Sequence, residues 1–141
     1  MKTIICKTIA ILTVLCLGLG LCACSVMISS YSATVMTREN SSDHFYMSFG
    51  SMRGRVVTKM IHTGDQDGAF VCTASLDEGE IRVYYLTALS DAEQPLFTLK
   101  GGESIYGERL GYLTNGEDPH LVVETVGGSA KGARITVDIV H

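Results

Sequence analysis

Two patterns of apolar residues divide this chain. Over residues 9–23 they run almost unbroken, interrupted only by Thr13, Gly18 and Gly20, and Lys2 and Lys7 stand in front of them. From about residue 33 onward, apolar and polar positions alternate with a period of two far more often than 3.6, which is the pattern of half-buried strands. Strands are expected over residues 33–37, 45–49, 55–62, 69–76, 80–87, 95–99, 105–113, 120–126 and 134–140. In the second of these, Phe45, Met47 and Phe49 share one face. In 80–87, Ile81, Val83 and Tyr85 alternate against Arg82, Tyr84 and Leu86. Gly50–Gly54, residues 77–79 and Asn115-Gly116 read as turns, with 77–79 a tight hairpin. Pro95 suits an edge strand or a strand start, and residues 90–94 have room for one helical turn.

Composition supports the strand reading. Residues 24–141 contain 27 Val, Ile and Thr against 15 Leu and Ala, and β-branched side chains fit a pleated sheet better than a helix. Glycines recur between the apolar runs at roughly the 8–12-residue spacing of a sandwich or barrel. The fold class expected is all-β: a single antiparallel, jelly-roll-like β-sandwich of about eight strands after an N-terminal signal or anchor helix.

The front of the chain has the layout of a secretory signal peptide, a short positive segment followed by an apolar one. It ends in Leu21-Cys22-Ala23-Cys24. This tetrapeptide resembles the lipobox of bacterial lipoproteins: aliphatic at −3, small at −1, cysteine at +1. The resemblance implies a diacylglyceryl thioether on Cys24, cleavage before it, and anchoring to the cell membrane outside the cytoplasm. The lipid goes to a thiol, so only cysteine serves at +1. The frame ending at Cys22 would put bulky Leu21 before the cut. Cys22 at −2 departs from the pattern. Each buried CH₂ adds about 0.8 kcal/mol, so two or three acyl chains suffice as an anchor. An uncleaved anchor over residues 9–28 or an ordinary secretory cut would equally place residues from about 30 onward outside the cytoplasm. The organisation expected is a signal peptide over 1–23, a serine-rich tether over 24–32, and the sandwich over 33–141.

Cysteine usage and charge fit that location. Of five cysteines, three lie in residues 1–23 and Cys24 would carry the lipid, leaving Cys72 within Ala69-Phe70-Val71-Cys72. One thiol cannot form an internal disulfide, and this one reads as a small buried hydrophobe. The net charge of −4 falls to about −6 without the leader, because residues 1–23 carry two lysines and no acid. That excludes a nucleic-acid partner bound through bulk positive charge. The absence of a second long apolar run excludes a polytopic membrane protein.

Residues 71–76, 79–85, 119–126 and 132–139, with a glycine-rich turn before the last, run in the order of the prepeptidase C-terminal type of domain, which they resemble. These are small β-sandwiches attached to secreted bacterial enzymes. The chain also resembles small lipoproteins of Gram-positive gut bacteria. Neither resemblance carries over a catalytic residue; the first implies a sugar- or protein-facing module.

Candidate chemistry is sparse. Asp65-Gln66-Asp67-Gly68 starts like a calcium loop, but an EF-hand needs Glu six residues after its glycine, and position 74 is Ala. His44, His62, His120 and His141 show no i, i+2 or i, i+4 spacing to another His or Cys, so no metal ligand set is expected. His141, the last residue, is expected to be mobile. There is no Gly-x-Ser-x-Gly elbow. Tyr84, taken as the outward member of the Tyr84-Tyr85 pair, together with Tyr106 and Tyr112, forms the candidate ligand-binding set, since exposed tyrosines stack on sugar rings or pack against a protein. The reading is a non-enzymatic cell-surface lipoprotein with no cofactor, its partners the membrane through Cys24 and an envelope protein or glycan. The alternatives are a carbohydrate- or peptide-binding module using these tyrosines, and a small hydrolase or inhibitor.

Overall fold

The structure is a computed structural model that describes residues 28–62, 67–87, 90–114 and 117–141. The expected signal peptide, Cys24, the calcium-like Asp65-Gln66 and the expected turn at Asn115-Gly116 lie outside these residues. Eight strands follow in order: β1 (Ser30–Ser41), β2 (His44–Lys59), β3 (Gly68–Ser75), β4 (Glu80–Thr87), β5 (Ser90–Lys100), β6 (Ser104–Leu113), β7 (His120–Thr125) and β8 (Ala130–Val140). All the strand pairings are antiparallel.

The strands run in the order β5-β4-β7-β2-β8-β3-β6, with β1 along β2. β2 is shared by two layers. Its residues His44–Met52 pair with β8, and Arg55–Lys59 pair with β7. One layer is therefore β2-β8-β3-β6 with β1 added, and the other is β2-β7-β4-β5. The chain crosses between layers at β3–β4, β5–β6 and β7–β8. This is jelly-roll connectivity, and it turns the two inner faces toward one another. β5 and β6, at the two ends of the order, approach each other and nearly close the wall.

Alternation places the core. Phe45, Met47, Phe49, Phe70, Cys72, Ile81, Val83, Leu121, Val123, Ile135 and Val137 come from both layers and join one buried cluster. Fully burying such a side chain stabilises by about 1.5–3 kcal/mol. A second cluster lies outside it: Tyr84, Leu86 and Val122, with Val57 against them.

Four sequence expectations change. Residues 50–54 are not a turn but the middle of the 16-residue β2, because β1 and β8 supply partners through that stretch. Gly54 makes this workable with φ +114°, a conformation side chains disfavour. Residues 77–79 do not form a hairpin, since β3 pairs with β6 and β8 while β4 pairs with β5 and β7. They are a crossing, tied to the start of β8 by the Asp77 and Glu78 N–H groups donating to the Lys131 carbonyl. Residues 90–94 belong to strand β5, drawn into the sheet by pairing with β4. β1 begins at Ser30, inside the expected tether, and β2 satisfies its backbone from Arg55 to His44. Pro95 does lie on a terminal strand of the order.

Candidate binding groove

The outer face of the β2-β8-β3 layer is built by the same alternation that fills the core. Phe45, Met47 and Phe49 point inward, so Tyr46 and Ser48 point out. Ile135 and Val137 send Arg134 and Thr136 outward, and Cys72 and Ala74 do the same for Thr73 and Ser75. The register aligns these into rows across the strands: Tyr46 beside Thr136 beside Thr73, and Ser48 beside Arg134 beside Ser75. β6 closes one side, with Ser104 opposite Ser75.

Tyr106 stands at that side, 89% exposed. With Tyr46, Thr73, Ser75, Arg134 and Thr136 it lines a groove of about 450 Å³. The groove continues into a second hollow of about 350 Å³ that shares Ser75 and Arg134 and adds Ser48 and Asp77. Thr73 Oγ1 accepts a hydrogen bond from the Gly107 N–H at 3.0 Å, which holds the backbone beside Tyr106 to β3. Gly107 adopts φ +58° there. Arg134 makes no ion pair or side-chain hydrogen bond among the described residues. Its guanidinium donors are available to a ligand. The groove thus offers two phenol rings, a cation, a carboxylate and a line of hydroxyls.

The expected tyrosines separate. Tyr106 lines the groove. Tyr112 is also exposed, at 74%, but it sits six residues along β6 and outside the groove lining. Tyr84 is not exposed: it is 2% accessible and packs with Leu86 and Val122. Outward alternation fails as a sign of exposure there because the Tyr84–Thr87 end of β4 is buried on both faces. Arg82 lies 4.8 Å over the Tyr84 ring. Burial pushes the Tyr84 phenol up, with Glu124 adding to the effect. Arg82 is itself raised above the ordinary arginine value, first by its hydrogen bond to Glu124 at 2.6 Å. The groove residues that sequence reasoning missed, Tyr46 and Arg134, carry a legible signal: each alternates with a strongly apolar pair.

The histidines are redistributed too. His44 pairs with Asp138 across β2 and β8 at 2.5 Å. His62 pairs with Asp43 at 2.8 Å and stacks on His141. His120 lies on β7 opposite Lys59 of β2.

No protein-family model matches the chain, and no curated protein does. Among solved structures it is similar to a carbohydrate-binding module of family 29, at 14% identity over 80% of this chain and 77% of that one, with a TM-score of 0.43. It is similar to a variant of the second family 29 module complexed with mannohexaose, at 15% identity over 80% and 79%, TM-score 0.42. It is also similar to Drosophila melanogaster CENP-C bound to CAL1, at 12% identity over 79% and 80%, TM-score 0.34. Likeness at this level leaves function to be argued from the groove itself.

Proposed function

We propose that this chain is a non-catalytic binding module that takes up a glycan chain along the groove of Tyr46, Tyr106 and Arg134. The observation that carries this reading is the pairing of an almost fully exposed tyrosine ring with an unpaired guanidinium and a hydroxyl-lined floor. Exposed phenol rings provide flat faces for the C–H faces of sugars. Convergent hydroxyl, carboxylate and guanidinium groups then fix orientation, as a few placed polar groups do in ligand sites. Four strands at about 4.8 Å spacing give a floor about 14 Å wide, a span suited to several sugar units rather than one. The location that fits such a module is the outer surface of a bacterial cell membrane, with lipid on Cys24 and the sandwich displayed beyond it.

Affinity electrophoresis of the full chain in gels containing soluble mannan, β-glucan or peptidoglycan fragments tests the binding. At least one polymer retards the wild type, and Tyr106→Ala or Arg134→Ala is retarded clearly less. A wild type that none of them retards overturns the glycan reading. For the anchor, globomycin sensitivity and mass spectrometry of the mature N-terminus are decisive. A Cys24→Ala protein that still carries lipid mass refutes the lipidation site.

A further inference from the structure

At the end of the sandwich away from the 77–79 crossing, three segments distant in sequence meet. The turn between β1 and β2 carries Asp43, the residues after β2 carry His62, and the chain beyond β8 carries His141. Backbone hydrogen bonds lock them together. The Asp43 N–H donates to the Ile61 carbonyl at 2.7 Å, and the Ile139 N–H donates to the Asp43 carbonyl at 2.8 Å. Each histidine is one or two residues from one of these bonds, so its reach toward Asp43 is set by the fold.

The side chains converge further. His62 Nδ1 is 2.8 Å from Asp43 Oδ1, and His141 Nε2 is 3.8 Å from Asp43 Oδ2. The two imidazole rings stack with centroids 5.2 Å apart. One ligand atom from each of the three residues lies within 4.8 Å of the others. His62 is almost fully buried, its side chain 3% exposed, while His141 is 32% exposed. Gly68 makes room for Ile139 beside the cluster, since a Cβ there would come 2.6 Å from Ile139 Cγ2.

We propose that Asp43, His62 and His141 form a binding site for a divalent first-row transition ion, zinc being the ion their donors suit. Two imidazoles and one carboxylate are a recurrent three-ligand set for that ion, with water in the fourth position. Tetrahedral bonds of about 2.0 Å place neighbouring donor atoms about 3.3 Å apart. The three donor atoms already lie within 4.8 Å of one another, so contraction by an ångström or so around one carboxylate oxygen brings them to that spacing. Hard oxygen-seeking ions are poorly served by two imidazoles. Among the described residues, the partly exposed His141 side leaves a place for a fourth ligand. The ion would join the β1–β2 turn, the end of β2 and the end of β8.

The test uses the full chain, metal-free and in detergent, titrated with zinc and separately with cobalt. One ion binds per chain, cobalt shows tetrahedral d–d absorption without a thiolate charge-transfer band, and zinc raises the melting temperature. His141→Ala and Asp43→Asn weaken uptake at least about tenfold, and His120→Ala leaves it unchanged. Asparagine tolerates the left-handed backbone at position 43, where φ is +56°. If that variant nevertheless misfolds, the surface variant His141→Ala decides alone. Absence of uptake, uptake with a thiolate band, or uptake undiminished in His141→Ala overturns the site.

Discussion

The phenol of Tyr85 donates a hydrogen bond to the backbone carbonyl of Tyr112 at 2.8 Å. Tyr85 belongs to the β4 layer and Tyr112 to the β6 layer, so one side-chain hydroxyl links the two walls where β5 and β6 come together. The Tyr85 ring also packs on Phe70, with centroids 4.7 Å apart. Tyr85→Phe keeps the ring and removes the link. It is expected to cost about 1 kcal/mol and to lower the melting temperature by about 4 °C, measured by circular dichroism.

Cys72 is inaccessible, and its thiol is pushed up to about 12 by burial first, then by Asp138 and Glu108. In mass-mapped alkylation at pH 8, Cys72 is expected to stay unmodified until the chain is denatured. The linkage has a definite sign. The unfolded thiol ionises near pH 9 while the folded one holds its proton, so the stability is present below that pH and lost as pH rises from about 9 toward 12. The slope from this group is at most about 1.4 kcal/mol per pH unit. Tyr84 and Tyr85, both raised by burial, steepen the fall once unfolded phenols ionise. Urea titrations at pH 7, 9 and 10.5 should show it, and Cys72→Ala should flatten its lower part.

Gly54 and Gly127 separate backbone strain from lack of space. Gly54 has φ +114°, and a Cβ would lie 2.2 Å from the Ser30 carbonyl oxygen. Gly127 has φ +71° with nothing within 4 Å. Gly127→Ala is expected to cost about 1 kcal/mol for conformation alone. Gly54→Ala should cost clearly more, roughly 2 kcal/mol or above, since β1 must also move off β2. Equal losses in denaturant titrations would refute this account of Gly54.

Tyr106 and Tyr112 are both exposed on β6, but only Tyr106 lines the groove. For any polymer the wild type binds, Tyr106→Ala is expected to weaken binding about tenfold, roughly 1.4 kcal/mol. Tyr112→Ala should leave it unchanged. Neither should shift the melting temperature by more than about 2 °C, as expected for exposed residues. A reversed order would move the ligand off this groove.

The strands were largely legible because their cause is local. Residues 80–87 are bounded as expected and alternate from Glu80 to Val83, although Tyr84 to Thr87 are all buried. Legibility failed where pairing overrode turn chemistry. Gly50 and Gly54 read as a turn, yet partners on β1 and β8 carry the strand through. Of the groove, Tyr106 is legible as an exposed tyrosine, whereas Tyr46 and Arg134 are not legible as site residues, because alternation marks them as outward without showing that a groove lies there. Tyr84 misled because exposure depends on what covers a face, and alternation says only which face a residue is on.

Period-two alternation, β-branched composition and recurrent glycines pointed on their own to strands with one buried face over residues 33–141, since side-chain direction along a strand needs no knowledge of the partner. Which strands adjoin is a long-range matter. Only the tertiary structure divided β2 between two layers and set Arg134 beside Ser48 and Ser75. It also carried Asp43, His62 and His141 from three distant segments to one end of the fold, where contacts exist only after the loops between them have closed.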